Sequence, residues 1–313
     1  MKVFRDINKL AIKNPVATIG IFDGVHLAHQ AIIHVLKEMA KEISGESVII
    51  TLWPHPRIVL DPENASIQLI NTLEEKIIKL EESEVDNLII LPFNRDFASI
   101  DFDVFIKNFL VKKLKIHHLV VGFNHHFGKN REGNYERLNI LAKQVGFELS
   151  RVEPFIIQGE RVSSSEIRKL IIAGEIRKAS EFLGYPFFVA GKVVPGKMLG
   201  RSMGFPTANI SVTDSHKIIP KNGVYAVTAE VEARLYRGMM NIGCRPTFNS
   251  DCLQSTLEVN LFGFIGDLYQ KELRINFYDR IRDEKKFNSL EELAAQISAD
   301  QKQVEQILEN LNK

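Results

Sequence analysis

Ala17-Thr18-Ile19-Gly20-Ile21-Phe22-Asp23-Gly24-Val25-His26-Leu27-Ala28-His29-Gln30 is the stretch around which the first half of the chain is organised. A short apolar run enters it and reads as a buried strand, which Gly20, Asp23 and Gly24 break. From His26 onward Ala31, Ile32, Val35, Leu36 and Met39 recur at helical spacing. A strand, a glycine turn and a helix start therefore follow one another. A helix N-terminus offers unpaired backbone N–H groups and the positive end of the helix dipole, which suits a phosphate. His26 and His29 point the same way on the first helical turn. Two imidazoles beside such a cradle fit stabilisation of a transferring phosphoryl group. A plain strand–turn–helix with polar surface histidines fits the same residues, and both readings stand at this point.

Outward from this stretch the pattern repeats. Ser47–Leu52, Asn87–Leu91 and His118–Gly122 read as buried strands. Thr72-Leu73-Glu74-Glu75 is a capping box that opens a helix through Leu80, and Phe102 to Leu114 is apolar at helical spacing. Strands alternating with helices predict a parallel sheet covered on both faces, with ligands bound beyond the carboxyl ends of the strands. Trp53-Pro54-His55-Pro56-Arg57 reads as an extended loop, because two prolines oppose a helix. It either offers His55 and Arg57 to phosphates or is a rigid loop anchored by Trp53. Ser163-Ser164-Ser165-Glu166-Ile167-Arg168 reads as a helix cap; alternatively its hydroxyls, amides and the Arg168 guanidinium surround a phosphate. A helix over 172–183 closes the first half, and Gly184-Tyr185-Pro186 breaks it, so the expected domains are residues 1–184 and 185–313.

The second half changes texture. Phe187–Val194, Val224–Val231, Leu257–Phe262 and Glu272–Tyr278 are strand-like, and glycine turns separate them. Leu257, Val259 and Leu261 share one face while Glu258 and Asn260 take the other, and Leu273, Ile275 and Phe277 repeat the alternation. This predicts an antiparallel sheet or small closed barrel. Ser289-Leu290-Glu291-Glu292 then starts a C-terminal helix with Leu293, Ile297, Val304, Ile307 and Leu311 as its apolar stripe.

The 313 residues suit two domains of about 150 each. A net charge of +1 gives no electrostatic reason to expect nucleic acid or an anionic membrane as partner. No apolar run reaches the ~20 residues of a membrane span, and Met1 to Asn14 lacks the apolar core of a secretory signal. Cys244 and Cys252 have no metal-site spacing and are too few for a disulfide scaffold, so reduced thiols in a cytoplasmic protein are expected.

Gly20-x-Phe22-Asp23-Gly24-x-His26-x-x-His29 resembles the phosphate-binding signature of the bacterial bifunctional riboflavin kinase/FMN adenylyltransferase (FAD synthetase) family, with Ala28 where that family usually has glycine. Gly122-Phe123-Asn124, Phe127-Gly128 and Arg131-x-Gly133 resemble its nucleotide and flavin-phosphate loop, and Val162-Ser163-Ser164-Ser165-x-Ile167-Arg168 its serine-rich helix start. Gly196-Lys197-Met198-Leu199-Gly200-Arg201-Ser202-Met203-Gly204-Phe205-Pro206-Thr207-Ala208-Asn209 resembles the riboflavin kinase signature; Asn241–Phe248, Leu257–Asn260 and Arg282-x-x-x-Lys286-Phe287 follow in the same order.

The resemblance implies a nucleotidylyltransferase-like (Rossmann-like) α/β domain followed by a small antiparallel β-barrel with a C-terminal helix. It implies that the barrel phosphorylates riboflavin to FMN with ATP, and that the first domain adenylylates FMN to FAD, releasing pyrophosphate. By the same implication Glu258 is the catalytic base, and His26, His29 and Arg168 stabilise charge on the phosphates. Gly20, Phe22, Asp23, Gly24, Asn124, Ser164, Ser165, Gly196, Gly200, Arg201, Gly204, Pro206 and Thr207 would bind nucleotide or phosphate. Phe127 and Arg282 would face flavin, and Thr207 and Asn209 would hold Mg²⁺ with the phosphate oxygens. Two alternatives stay open: a monofunctional kinase with a decayed first domain, and a non-enzymatic flavin-binding protein.

Overall fold

The computed structural model describes residues 1–63, 67–123, 133–196, 204–232, 234–244 and 255–310. They form two compact units, Met1–Ser164 and Ser165–Lys313.

The first unit is a six-stranded, all-parallel sheet. Its strands are β1 (Lys2–Phe4), β2 (Val16–Ile19), β3 (Ser47–Trp53), β4 (Asn87–Pro92), β5 (His118–Gly122) and β6 (Glu148–Val152), in the spatial order β1-β4-β3-β2-β5-β6. The apolar runs of these strands are buried on both faces, as a parallel sheet requires. Val16, Ile49, Leu88, Ile90 and Val120 meet Ile33, Leu36 and Ala40 of helix α1 (Leu27–Glu42). On the other face Ala17, Ile19, Val48, Ile50, Ile89, Leu91, Leu119 and Val121 meet an aromatic-rich layer that includes Phe102, Phe105 and Phe109. Chain order turns back between β2 and β5. The crevice at such a switch point is where open α/β sheets bind ligands, and the Gly20–His26 loop leaves β2 there.

Thr72 caps helix α3 (Leu73–Glu82) with both halves of the capping box, as its sequence predicts. The extended loop expected after β3 is corrected. Pro56 stands at the first turn of a short helix, α2 (Pro56–Leu60), where a missing N–H costs nothing, and His55 caps it. The helix expected over 102–114 begins as α5 (Phe102–Phe105), after the short α4 (Arg95–Ala98), and widens to a π-helical stretch, Ile106–Lys113; Leu114 N–H bonds to the Phe109 carbonyl at 2.9 Å. Helix α6 (Tyr135–Val145) and strands β1 and β6 had no sequence expectation.

After the hairpin β7 (Ile156–Ile157) and β8 (Glu160–Arg161), the helix expected over 172–183 proves to be two. Helix α7 (Ser164–Ala173) stops at Gly174, whose φ of +85° ends a helix at no steric cost, and α8 (Ile176–Leu183) ends at Gly184, also left-handed.

The barrel expected in the second half is closed and antiparallel throughout. Its strands are β9 (Phe188–Val194), β10 (Ala208–Ser211), β11 (Gly223–Val231), β12 (Arg234–Cys244), β13 (Ser255–Leu261) and β14 (Glu272–Arg282), in the order β10-β13-β12-β11-β14-β9. Tyr225, Val227, Met240, Val259, Ile275 and Phe277 are buried on it. Helix α9 (Leu290–Asn310) lays Val304 and Leu308 on Val224, Ala226 and Met239. Arg282 clamps it there, meeting both oxygens of the buried Asp300 carboxylate at 2.7–3.0 Å. The capping box expected at Ser289 forms by half. Ser289 Oγ accepts from Glu292 N–H, but the Glu292 carboxylate accepts from Asn288 N–H. Cys244 is disulfide-bonded, against the expectation of reduced thiols.

Candidate active sites

In the first unit the Gly20–His26 turn is a wound, heavily anchored loop. Phe22 (φ +52°), Gly24 (φ +88°) and Val25 (φ +36°) all take left-handed backbone. Two of the three carry a Cβ, and such conformations persist only where the surroundings over-determine them. The anchors are visible. The Ile21 carbonyl accepts from the Thr51 hydroxyl at 3.1 Å and from the Lys76 ammonium at 2.8 Å. The Asp23 carboxylate, 2% exposed, accepts from the backbone N–H groups of Ile70 and Asn71, each at 3.1 Å. The Asp23 carbonyl accepts from Ser164 Oγ at 2.9 Å. Gly20 must be glycine, since a Cβ there would lie 2.9 Å from the Phe22 ring, which is itself core.

The turn delivers the start of α1. His26 is the N-cap; its Nδ1 accepts from His29 N–H at 3.4 Å. The two imidazoles stack with centroids 3.6 Å apart and 14° between planes, and Phe22 closes on His29 from 4.9 Å. His29 Nδ1 is buried and has no hydrogen-bond partner among the described residues. Burial, then the neighbouring His26 and Lys76, hold His29 well below the usual histidine range, so it is neutral at pH 7. A neutral imidazole still presents one N–H donor. Ala28 lies within the first turn of α1, where alanine is the most favourable residue.

The sequence predicts phosphate contacts for Gly20, Phe22, Asp23, Gly24, His26, His29 and Ser164; the fold places the first five on one loop, His29 on the helix turn that follows it and Ser164 on the helix that bonds to it. The roles of Asp23 and Phe22 look inward: a carboxylate occupied by backbone and a ring in the core. Lys76 had no sequence expectation. It was legible in principle, because Leu73, Lys76 and Leu80 share the buried stripe of α3 and a lysine has no ordinary place in such a stripe. His55 is buried and accepts from Arg57 N–H at 3.1 Å. Ser165 and Arg168 lie on α7, in the second unit. Asn124 and Phe127 lie outside the described residues. A separate cavity of about 600 Å³ opens at the N-terminal ends of the strands, lined by Pro15, His117 and Phe147 among others, and includes none of these groups.

In the second unit the register of the barrel assembles the other set. Glu258 on β13 pairs with Asn209 on β10 and with Asn241 on β12. Directly opposed residues of antiparallel strands share a face, so the carboxylate is flanked by two amides. Asn241 in turn pairs with Val224, which places the three on the face that α9 covers further along. Thr207 stands two residues before Asn209, and the chain just before it is pinned by Asn260, whose amide donates to the Pro206 carbonyl at 2.7 Å. Gly196 is required here as well: a Cβ would lie 1.9 Å from Asn209 Nδ2. Threonine hydroxyl, asparagine carbonyl and carboxylate are hard oxygen donors, the set Mg²⁺ takes with phosphate. Among the described residues no group of three or more His, Cys, Asp or Glu side chains could hold a metal alone. Gly204 has φ +81° with open space around it. Arg282, expected at the flavin, is occupied by Asp300 and the Asp283 carbonyl. Gly200 and Arg201 lie outside the described residues. None of the described helices is long and apolar enough to cross a membrane.

Comparison with known proteins matches residues 9–166 to the family described as FAD synthetase and residues 183–308 to the family described as riboflavin kinase. A Bacillus subtilis protein named bifunctional riboflavin kinase/FMN adenylyltransferase is 38% identical, over 95% of this chain and 94% of its own. Its namesake from Escherichia coli K12 is 35% identical, over 96% of each chain. Among solved structures, one titled a macrolide-efflux protein from Streptococcus pneumoniae superposes with a TM-score of 0.88 at 31% identity, covering 96% of this chain and 98% of that one.

Proposed function

Because the chain belongs to the bifunctional riboflavin kinase/FMN adenylyltransferase family, we propose how its own residues divide two successive reactions on one flavin. The chain is a transferase that phosphorylates riboflavin to FMN with ATP and adenylylates FMN with a second ATP to FAD and pyrophosphate. Neither a decayed first domain nor a non-catalytic flavin carrier is favoured, since both halves match enzyme families. The observation that carries the division of labour is spatial: the histidine cradle lies wholly in the first compact unit, and Glu258, Asn209 and Thr207 lie wholly in the second.

In the kinase reaction Glu258 takes the proton from the riboflavin hydroxyl as that oxygen attacks the γ-phosphorus, and ADP leaves. Its neighbours Asn209 and Asn241 fix the carboxylate's place across the strands. Thr207 and Asn209 would hold Mg²⁺, which when bound neutralises charge on the phosphates. Gly204, with open space around it, leaves room for the nucleotide, and Gly196 leaves room for the Asn209 side chain.

In the adenylyl transfer the FMN phosphate attacks the α-phosphorus of ATP in line, pyrophosphate leaves, and no covalent enzyme intermediate forms. The N–H groups at the start of α1 and the stacked His26 and His29 donate to the phosphate oxygens. Anionic phosphate there favours the protonated imidazole and works against the burial that keeps His29 neutral in the free chain. For Ser165, Arg168, Asn124, Phe127, Gly200, Arg201 and Arg282, only the family resemblance supports contact with phosphate or flavin. The functional boundary falls near Gly184, where α8 ends and beside the start of the riboflavin kinase match. The site of action is the cytoplasm, where ATP is plentiful.

The test is Glu258→Gln in the full chain, with products from riboflavin, ATP and Mg²⁺ separated by chromatography. FMN formation is expected to vanish while FAD still forms from supplied FMN. Loss of both activities in a folded variant would contradict the separation of the sites.

A further inference from the structure

Lys76 is a buried cation beside the cradle to which the two reactions give no part. It is 1% exposed, on the inner stripe of α3 between Leu73 and Leu80. An ammonium so placed is costly unless hydrogen-bonded and paired, and a methionine of similar length would fill the stripe without that cost. What the charge holds is specific. It donates to the Ile21 carbonyl at 2.8 Å, immediately before the left-handed Phe22, and lies 5.2 Å above the Trp53 ring. The loop it grips carries two strained non-glycine residues, Phe22 and Val25, and leads directly into the His26 cap.

We propose, on the reading of the first unit as the adenylyl-transfer site, that Lys76 is a positioning residue of the cradle: its positive charge holds the Ile21–Val25 turn in the form that presents the α1 N-terminus and His29 to phosphate. It acts through the turn, not on the substrate.

The charge is labile. Burial lowers Lys76 to about 8, and Asp23, the carboxylate on the turn, opposes that shift. Among the described residues His29 on α1, held neutral, also feels its charge, and Glu75 and Lys79 neighbour it along α3. Glu75 closes the Thr72 cap, and Lys79 pairs with Glu82. A lysine with a lowered value is charged below it and neutral above it. The cradle is therefore held at pH 7 and loses its grip as pH rises through about 8.

Trp53 is the chain's single tryptophan, so emission excited at the red edge of tryptophan absorption reports the ring beneath Lys76 and nothing else. In the full chain Trp53 emission is expected to titrate with a midpoint near pH 8. FAD formation from FMN and ATP should decline over the same range while riboflavin phosphorylation does not. In Lys76→Met the emission transition disappears, and FAD formation at pH 7 falls at least about tenfold, the scale for a misplaced catalytic group. Lys76→Arg, charged throughout, loses the decline above pH 8. A parent chain with no emission transition between pH 7 and 9 overturns the proposal, whatever the variants do. So does a Lys76→Met chain that makes FAD at the parental rate. A parent that titrates at Trp53 but makes no FAD at any pH overturns the adenylyl-transfer reading, and the positioning role falls with it.

Discussion

Gly196→Ala is the most discriminating single change in the barrel. The added methyl would sit 1.9 Å from Asn209 Nδ2, whereas real contacts of a Cβ begin near 3.0 Å. Either the backbone at 196 or the Asn209 amide must yield by about 1 Å, and the amide is the softer of the two, a side-chain end in a half-buried position. The cost to stability is correspondingly small, below about 1 kcal/mol, because a rotamer changes and no core is opened. The cost to chemistry is not small. Asn209 stands directly across from Glu258, and a displacement of about 1 Å in a positioning group is worth on the order of 100-fold in rate. We expect Gly196→Ala to form FMN from riboflavin about 100-fold more slowly, to form FAD from supplied FMN at the parental rate, and to melt within a few degrees of the parent. The assay is chromatographic separation of flavins with saturating ATP and Mg²⁺, beside a thermal melt. Parental FMN formation in Gly196→Ala would refute the reasoning, because Asn209 cannot keep its place and the kinase tolerate the methyl at once.

His29→Ala removes a preorganised donor from the cradle and should slow FAD formation by about 100-fold with riboflavin phosphorylation intact; an unchanged rate takes His29 out of the mechanism. Arg282→Ala leaves the Asp300 carboxylate buried with Gln296 as its remaining donor at 2.9 Å, and should lower stability by about 3 kcal/mol in urea unfolding; a loss under about 1 kcal/mol would mean that the clamp adds little to the packing of α9.

The parallel sheet was legible because its strands are buried on both faces and read as unbroken apolar runs; His118–Gly122 is a strand to the residue. What escaped has physical causes. Strand β6, Glu148–Val152, lies at the sheet edge and has only Leu149 and Val152 as apolar residues, with Ser150 and Arg151 adjacent between them, so neither an apolar run nor a strict alternation marks it as a strand. Gly174 sits in an otherwise helical pattern, and one glycine is not by itself a stop signal; its left-handed φ makes it one. The proline loop failed because position decides what proline does: Pro56 falls at the helix start, where it is welcome. The site residues were legible as types and incompletely as roles. Asp23 is polar in sequence and spends its charge on two backbone N–H groups, and Arg282 spends its guanidinium on a helix, because the partners of each lie far along the chain. The Glu258–Asn209 opposition rests on strand register, which no local pattern specifies.

The ring of the barrel is closed by its first strand in sequence, β9, which bonds to β10 on one side and to β14, the last, on the other. This fixes an order of events during synthesis. The sheet of the first unit has all its strands once Val152 has emerged, and most of its pairings join segments made shortly after one another. The barrel cannot close until residues 272–282 follow, so β9 waits with one edge unpaired while nearly ninety residues are added behind it. Non-local pairing of this kind is slow to form and exposed to wrong partners in the meantime. Nascent chains arrested between β9 and β14 should therefore carry a settled α/β unit ahead of an open-edged sheet. In a cell short of chaperones the kinase half, the last made, is expected to be lost first, leaving soluble chains that form FAD from supplied FMN but little FMN from riboflavin.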